Sequence, residues 1–148
     1  MTSYLLDTSV ISMLAPGREE QLSTPIADWL RSHDALIFIP CIAVAALAQG
    51  ISKLRGAGGA TRADRLDQWL DALISGYGDR ILTLDAVGAR LAGRLSDEAT
   101  AIGRHAGFAD VAIAALAKNA GHLLLTRNLK HFEALGLECL DPMLQLPP

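Results

Sequence analysis

Tyr4-Leu5-Leu6-Asp7-Thr8-Ser9-Val10-Ile11 is a short apolar run that ends in a carboxylate, then two hydroxyl residues, then a helix-like apolar stretch. Tyr4–Leu6 reads as a buried strand, and in an open α/β sheet ligands bind beyond the carboxyl ends of the strands. That places Asp7 where a side chain can hold a metal or a phosphate-bound cation. Two later stretches have the same character. Phe108-Ala109-Asp110-Val111-Ala112-Ile113 carries a carboxylate at the head of an apolar helix. Leu123-Leu124-Leu125-Thr126-Arg127-Asn128 is a second buried-type strand ending in polar residues. Two strand ends and one helix start are expected to converge on one small acidic site.

The remaining chain alternates strands with helices, which predicts a parallel sheet of four or five strands covered on both faces. Val10–Leu14 continues the first strand as a short helix stopped by Pro16-Gly17. Thr24-Pro25 has the form of an N-cap followed by proline at the first helical position, opening a helix to Arg31. Leu36–Ile39 is a strand closed by Pro40, and Ile42–Arg55 a helix with apolar residues at 42, 44, 47, 48, 51 and 54. Gly56–Gly59 is the most flexible stretch, a hinge to a helix at Thr61–Ile74 whose apolar face is Leu66, Trp69, Leu70 and Leu73. Ile81–Leu84 is a third strand. Asp85 caps a helix over 86–102, a loop spans Gly103–Gly107, and Ala109–Asn119 is a helix ended by Gly121. Strands at Leu123–Thr126 and Leu137–Leu140 complete the set.

The 148 residues predict one domain, 1–148. A hydrophobic share of 51% is ample for a packed core. The net charge of −3 gives no global attraction to nucleic acid, so contacts of that kind must come from local cations. Lys53, Arg55, Arg62, Arg65, Arg104, Arg127 and Lys130 are the candidates, most of them expected to be solvated helix faces. Cys41 and Cys139 lie outside any CxxC pattern and read as buried thiols of a reduced compartment, which argues against zinc. The apolar run Ala35–Ala48 is interrupted by Pro40 and too short to span a bilayer, so a soluble cytoplasmic protein without membrane contact is expected. His33 and His122 read as solvent-facing helix ends, and His105 as a surface residue in the loop before Asp110. Neither a G-x-S-x-G elbow nor a Walker loop is present, which sets aside serine hydrolases and P-loop enzymes. A phosphotransferase with Asp7 as nucleophile ranks low, because Ser9 stands where a second Asp is usual.

Taken singly, Asp7 reads equally well as a helix N-cap, and Asp110 as a first-turn acid favoured by the helix dipole. Their surroundings decide otherwise. Leu5–Ser12, Gly107–Ala115 and Leu124–Phe132, with Ile42–Ile51, Gly136-Leu137 and Asp141-Pro142, occur in the order and spacing of the PIN-domain nucleases. The chain most resembles the VapC and FitB-like toxins of bacterial toxin–antitoxin pairs. The resemblance runs from Tyr4 to Pro142 and implies a three-layer PIN-like α/β fold. It further implies a Mg²⁺- or Mn²⁺-dependent endoribonuclease that acts on RNA, forms a homodimer and is neutralised by a cognate antitoxin. Asp7 and Asp110 then correspond to metal-binding acids, and Asn128 to a position of Asp or Asn. Thr8 and Ser9 correspond to small polar residues that support the first acid. Arg127, in the matching strand-end stretch, joins them beside the substrate. The groove of the glycine-hinged helix pair is where an antitoxin segment is expected.

One departure stands out. The family's second helix normally carries a Glu, as in VAELxxG, whereas Val44-Ala45-Ala46-Leu47-Ala48-Gln49-Gly50 has Ala46 there. Two carboxylates remain in place of three. That weakens a metal site and removes a possible water-orienting group. Ala46 has the form of a change made to tolerate a toxic nuclease; natural loss, with Gln49 as a poor neutral substitute, gives the same residue. The competing reading is a catalytically inactive PIN-like module that holds RNA or protein.

Overall fold

The centre of the sheet is the stretch that opens the chain. In the computed structural model, which describes Met1–Pro148, strand β1 (Tyr4–Leu6) pairs in parallel with β2 (Ile37–Pro40) and β4 (Leu123–Leu125). β3 (Ile81–Leu82) extends the sheet beyond β2, and β5 (Cys139–Leu140) beyond β4. The five strands run in the order β3-β2-β1-β4-β5, all parallel. The chain builds outward from β1 on one side, then crosses back to build on the other. The order therefore reverses between β1 and β4, the place where such sheets open a crevice at their carboxyl ends.

Strand alternation sorts the core into two halves. Tyr4, Leu6, Ile37, Ile39 and Leu125 face one side. There they pack under α1 (Thr8–Ile11), α2 (Thr24–Ser32), α3 (Cys41–Gly56) and α4 (Ala60–Tyr77). Leu5 and Leu124 face the other side, under α5 (Ala86–Ala101), α6 (Phe108–Ala120) and α7 (Leu129–Glu133). The result is the three-layer α/β arrangement expected. α6 lies deepest: Val111 through Ala117 are all buried, because alanines let it approach the sheet closely. Asp85 caps α5 through its carboxylate, which accepts from the Gly88 amide at 2.8 Å.

Several local expectations are corrected. The predicted Val10–Leu14 helix is a single α-turn, α1, followed by a 3₁₀ turn at Ser12–Leu14. The third and fifth strands keep two residues each, as suits sheet edges. α7 is an element that the sequence expectations did not include, since five residues are too few for a helical period to show; one buried aromatic, Phe132, anchors it. The glycine segment is a closed corner, not an open hinge. A Cβ on Gly59 would stand 2.6 Å from Leu54 Cδ1, so the two helices meet there at a distance only glycine permits. Arg55 clamps the pair with forked bonds of 2.7 Å to Asp64 and 2.7 Å to Asp67. Ala48 is exposed, and the buried positions of α3 are Ala43 and Ile51. Cys41 and Cys139 are free and only partly buried. His33 and His122 stand at helix ends but are only partly exposed: His33 stacks on Trp29 at 4.4 Å and His122 on Phe38 at 4.3 Å. Burial lowers the His122 pKa. No helix is long and apolar enough to cross a membrane.

Candidate metal centre

β1 ends on Asp7 and β4 ends on Thr126, side by side at the reversal of strand order. Asp7 occupies the N-cap position of α1, with extended backbone, but its side chain makes no cap bond. One carboxylate oxygen, Oδ2, instead accepts from the Ser9 hydroxyl at 2.8 Å and from the Thr126 hydroxyl at 2.8 Å. Each hydroxyl is in turn fixed by a backbone amide. Arg127 N–H donates to Ser9 Oγ at 3.1 Å, and Asn128 N–H donates to Thr126 Oγ1 at 2.9 Å. Two parallel relays thus run from consecutive amides past β4, through two hydroxyls, to one carboxylate oxygen. Each amide polarises its hydroxyl and so strengthens the bond that hydroxyl donates to Asp7.

The other oxygen of Asp7 is left open. Asp7 is 4% exposed, and no protein donor reaches Oδ1. Yet Oδ1 is not sealed in, since the one buried polar side-chain atom without a partner in this chain is Trp29 Nε1. A buried carboxylate with one oxygen held and the other facing the crevice is set up to receive a cation.

Asp110 supplies the second acid from the first turn of α6. It is half-buried, and that desolvation is the main reason its pKa lies above the ordinary carboxylate value. Asp7's negative charge pushes the same way, which places the two acids within electrostatic reach. His131 on α7 opposes the shift, with Nδ1 at 3.1 Å from Asp110 Oδ2. Because a carboxylate accepts, Nδ1 is assigned the proton. Sequence reading missed His131. It stands 21 positions from its partner and has no metal-motif spacing.

The other predicted residues are placed as follows. Ser9 touches Asp7 directly; Thr8 opens α1, and no hydrogen bond of its side chain brings it to the carboxylate. The second hydroxyl partner is Thr126, within the strand end that drew notice but not singled out there. Asn128 and Arg127 are exposed on the rim, tied to the centre through their backbone amides. Ala46 is exposed on α3 and lines a groove with Ser12, Arg18, Gly50 and Arg62; the cavity beside Asp110 does not include it.

Does this set fit a divalent metal? No group of three or more His, Cys, Asp or Glu side chains is arranged to hold one. An all-protein cage is therefore absent, which disfavours zinc. Mg²⁺ and Mn²⁺ make a different demand. They take hard oxygen ligands, and Mg²⁺ usually keeps several waters beside one or two carboxylates and substrate phosphate. The open Oδ1 of Asp7 and the carboxylate of Asp110 meet that demand.

Comparison with known proteins places the fold. The PIN domain family model matches residues 4–136. The chain is similar to the plasmid stability protein StbB of Pseudomonas syringae pv. tomato, at 33% identity over 140 residues, covering 93% of this chain and 96% of that protein. It is also similar to FitAcB from Neisseria gonorrhoeae, with a TM-score of 0.70 and 31% identity over 95% of this chain and 98% of that one. DNA-bound VapBC from Salmonella typhimurium shares the fold, with a TM-score of 0.72 at 23% identity over 95% of this chain and 98% of that one. With nearly its whole length matched, the chain belongs to the PIN domain family.

Proposed function

We propose that this protein is the toxin of a type II toxin–antitoxin pair. In this reading it is a metal-dependent endoribonuclease that hydrolyses RNA phosphodiester bonds and is neutralised by a cognate antitoxin. The observation that carries the reading is the Asp7 carboxylate, anchored through Oδ2 by Ser9 and Thr126 and open at Oδ1 beside Asp110. Likeness to StbB and FitAcB supports the toxin assignment. Mg²⁺ or Mn²⁺ bound by Asp7 and Asp110 would lower the pKa of a coordinated water and neutralise charge developing on the phosphate. The chain's own groups do the rest. Ser9 and Thr126 fix the direction in which Asp7 points. Asn128 and Arg127 meet the substrate strand from the rim. The antitoxin enters by the groove between the 3₁₀ turn and the α3–α4 pair, where Ala46, Leu47 and Leu66 offer apolar contact. A cytoplasmic homodimer completes the reading.

Ala46 supports a second reading. With no third carboxylate and no three-donor cluster, the chain as it stands also suits a PIN-like module that binds RNA or protein without cutting. Restoring the acid separates the two. Ala46→Glu is expected to raise Mn²⁺ affinity by calorimetry and to create or raise metal-dependent RNA cleavage, and Asp7→Asn in that background should abolish the cleavage. A variant that binds Mn²⁺ no better and cuts no RNA leaves the binding module standing.

A further inference from the structure

Beside Asp110 lies a cavity of about 310 Å³ whose walls come from two distant segments, the α5–α6 loop and α7. The loop brings Arg104 and His105, and α7 brings Lys130 and His131. Arg104 is held in place by the way α5 ends. Gly103 adopts φ +77°, in the left-handed region, and the chain closes with two bonds typical of a Schellman cap. Gly103 N–H donates to the Thr100 carbonyl at 3.0 Å, and Arg104 N–H to the Ala99 carbonyl at 2.8 Å. The turn delivers Arg104 opposite Lys130.

Neither cation has an acidic partner. The ion pairs of this chain involve Arg31, Arg55, Arg80 and His131 only. Glu133 is the nearby acid, but it lines the adjoining surface hollow and pairs with neither. Arg104 and Lys130 are exposed and outnumber the one carboxylate of the pocket wall, Asp110, so the pocket as a whole attracts an anion. The pocket opens against an acid of the candidate metal centre, so that anion belongs to the same ligand as the group bound there.

We propose that Arg104 and Lys130, with His105 as an N–H donor between them, form a subsite for a backbone phosphate of the RNA strand, next to the phosphate held at Asp7 and Asp110. This rests on the nuclease reading of the centre and adds to it a fixed path for the strand. The path runs from the crevice between β1 and β4, past Asp110, into the pocket between the α5–α6 loop and α7. Phosphate contacts of this kind set register and carry no sequence preference.

The test is binding of a fluorescein-labelled, non-cleavable 2′-O-methyl oligoribonucleotide to the full chain, followed by anisotropy over a salt series. Arg104→Ala/Lys130→Ala is expected to weaken binding equally for unrelated sequences. The slope of log K against log salt should become shallower by about 0.7 for each cation removed. Arg104→Lys/Lys130→Arg should restore the slope, which excludes misfolding as the cause. Mn²⁺ affinity by calorimetry should be unchanged in all of these variants. An unchanged slope in the double-alanine variant overturns the subsite. So does an equal loss in Arg90→Ala/Arg94→Ala, two exposed cations of α5 outside the pocket, since attraction would then be diffuse. Displacement of the RNA by poly-glutamate as readily as by unlabelled RNA would assign the pocket to an acidic peptide instead. Failure of the metal-centre reading looks different: Asp7→Asn would leave Mn²⁺ affinity where it was, whatever the salt slope does.

Discussion

The two acids of the candidate centre are held in opposite ways. Asp7 sits at 4% exposure with one oxygen locked by two hydroxyls and, behind them, two backbone amides. Asp110 is half-open and has one side-chain partner, His131, itself largely exposed. The Asp7 corner is built where two strands end, with the Asp7 and Thr126 backbones still bonded to neighbouring strands and the hydroxyl donors held by the Arg127 and Asn128 amides. The Asp110 corner is built from a helix start and a five-residue helix, where little is fixed. The donors to Asp7 are in place before any metal arrives. The second acid remains adjustable, and desolvation together with Asp7's charge makes its ionised form less favourable than that of a free carboxyl. In the proposed nuclease this contrast would give anchoring to Asp7 and closure around the metal to Asp110.

The largest effect should come from breaking the anchored corner chemically without unfolding it. Asp7→Asn keeps a carbonyl oxygen that both hydroxyls can reach and turns an amide N–H₂ toward the crevice, where a cation would have sat. Mn²⁺ binding should be lost in calorimetry, while the thermal midpoint without metal stays close to that of the wild type. Retained Mn²⁺ binding in a folded Asp7→Asn protein would dissolve the distinction between the two corners.

Next in size is a change that keeps both acids and removes one relay. Thr126 is fully buried, donates to Asp7 and accepts from the Asn128 amide. Thr126→Val preserves shape, removes one of the two hydroxyl bonds to Asp7 Oδ2 and leaves the Asn128 amide without its partner, so it should cost about 1–3 kcal/mol of stability in urea unfolding. A loss of orienting support of this kind also weakens metal binding by about 10–100-fold. A Val variant as stable as the parent would show that water replaces the hydroxyl and that the corner is less sealed than its geometry implies.

The same contrast explains what could be read from the amino-acid order. β1, β2 and β4 are apolar runs ended by polar or proline residues, so the sheet's centre and the position of Asp7 were legible. Asp85 and Gly121 punctuate α5 and α6 by local rules. The edges were less so, because two-residue strands such as β3 and β5 exist only by pairing with a neighbour. At the site, Ser9 is two residues from Asp7 and was found, whereas Thr126 and His131 meet their acids across 119 and 21 residues. Arg104 and Lys130 were visible as cations, but only the fold brings them to one pocket.

A smaller effect concerns the adjustable corner. The folded pKa of Asp110 is raised, so the folded state binds that proton more tightly than the unfolded chain. Its stabilising contribution is complete below the ordinary carboxyl value of 3.8 and is lost as pH rises through the raised folded value. Above that folded value the metal-free protein no longer has it. Asp110→Asn cannot ionise and should be more stable than wild type above that window, with the gap opening across it in urea melts taken at successive pH values. Saturating Mn²⁺ should reverse the ranking, because it stabilises only the protein that binds it. A variant less stable than wild type in metal-free buffer at neutral pH would mean that Asp110 supports the fold and is not held at its expense.

The smallest effect should come from His131→Asn. The Asp110–His131 pair is 61% exposed on the histidine side, and pairs so open to water contribute little to stability. The thermal midpoint should therefore hardly move. The titration of Asp110 should move, and in a defined direction. His131 lowers the Asp110 pKa through its charge and its hydrogen bond, against desolvation and Asp7, which raise it. Removing His131 leaves the raising influences unopposed, so the carboxyl ¹³C resonance of Asp110 should titrate at higher pH than in the wild type. Mn²⁺ binding should then weaken at mildly acidic pH first, where more Asp110 carries a proton, and recover as pH rises. An unmoved Asp110 titration would show that the imidazole is swung away in solution. The second corner would then be a lone carboxylate, and the difference from Asp7, with two hydroxyl donors each backed by an amide, wider still.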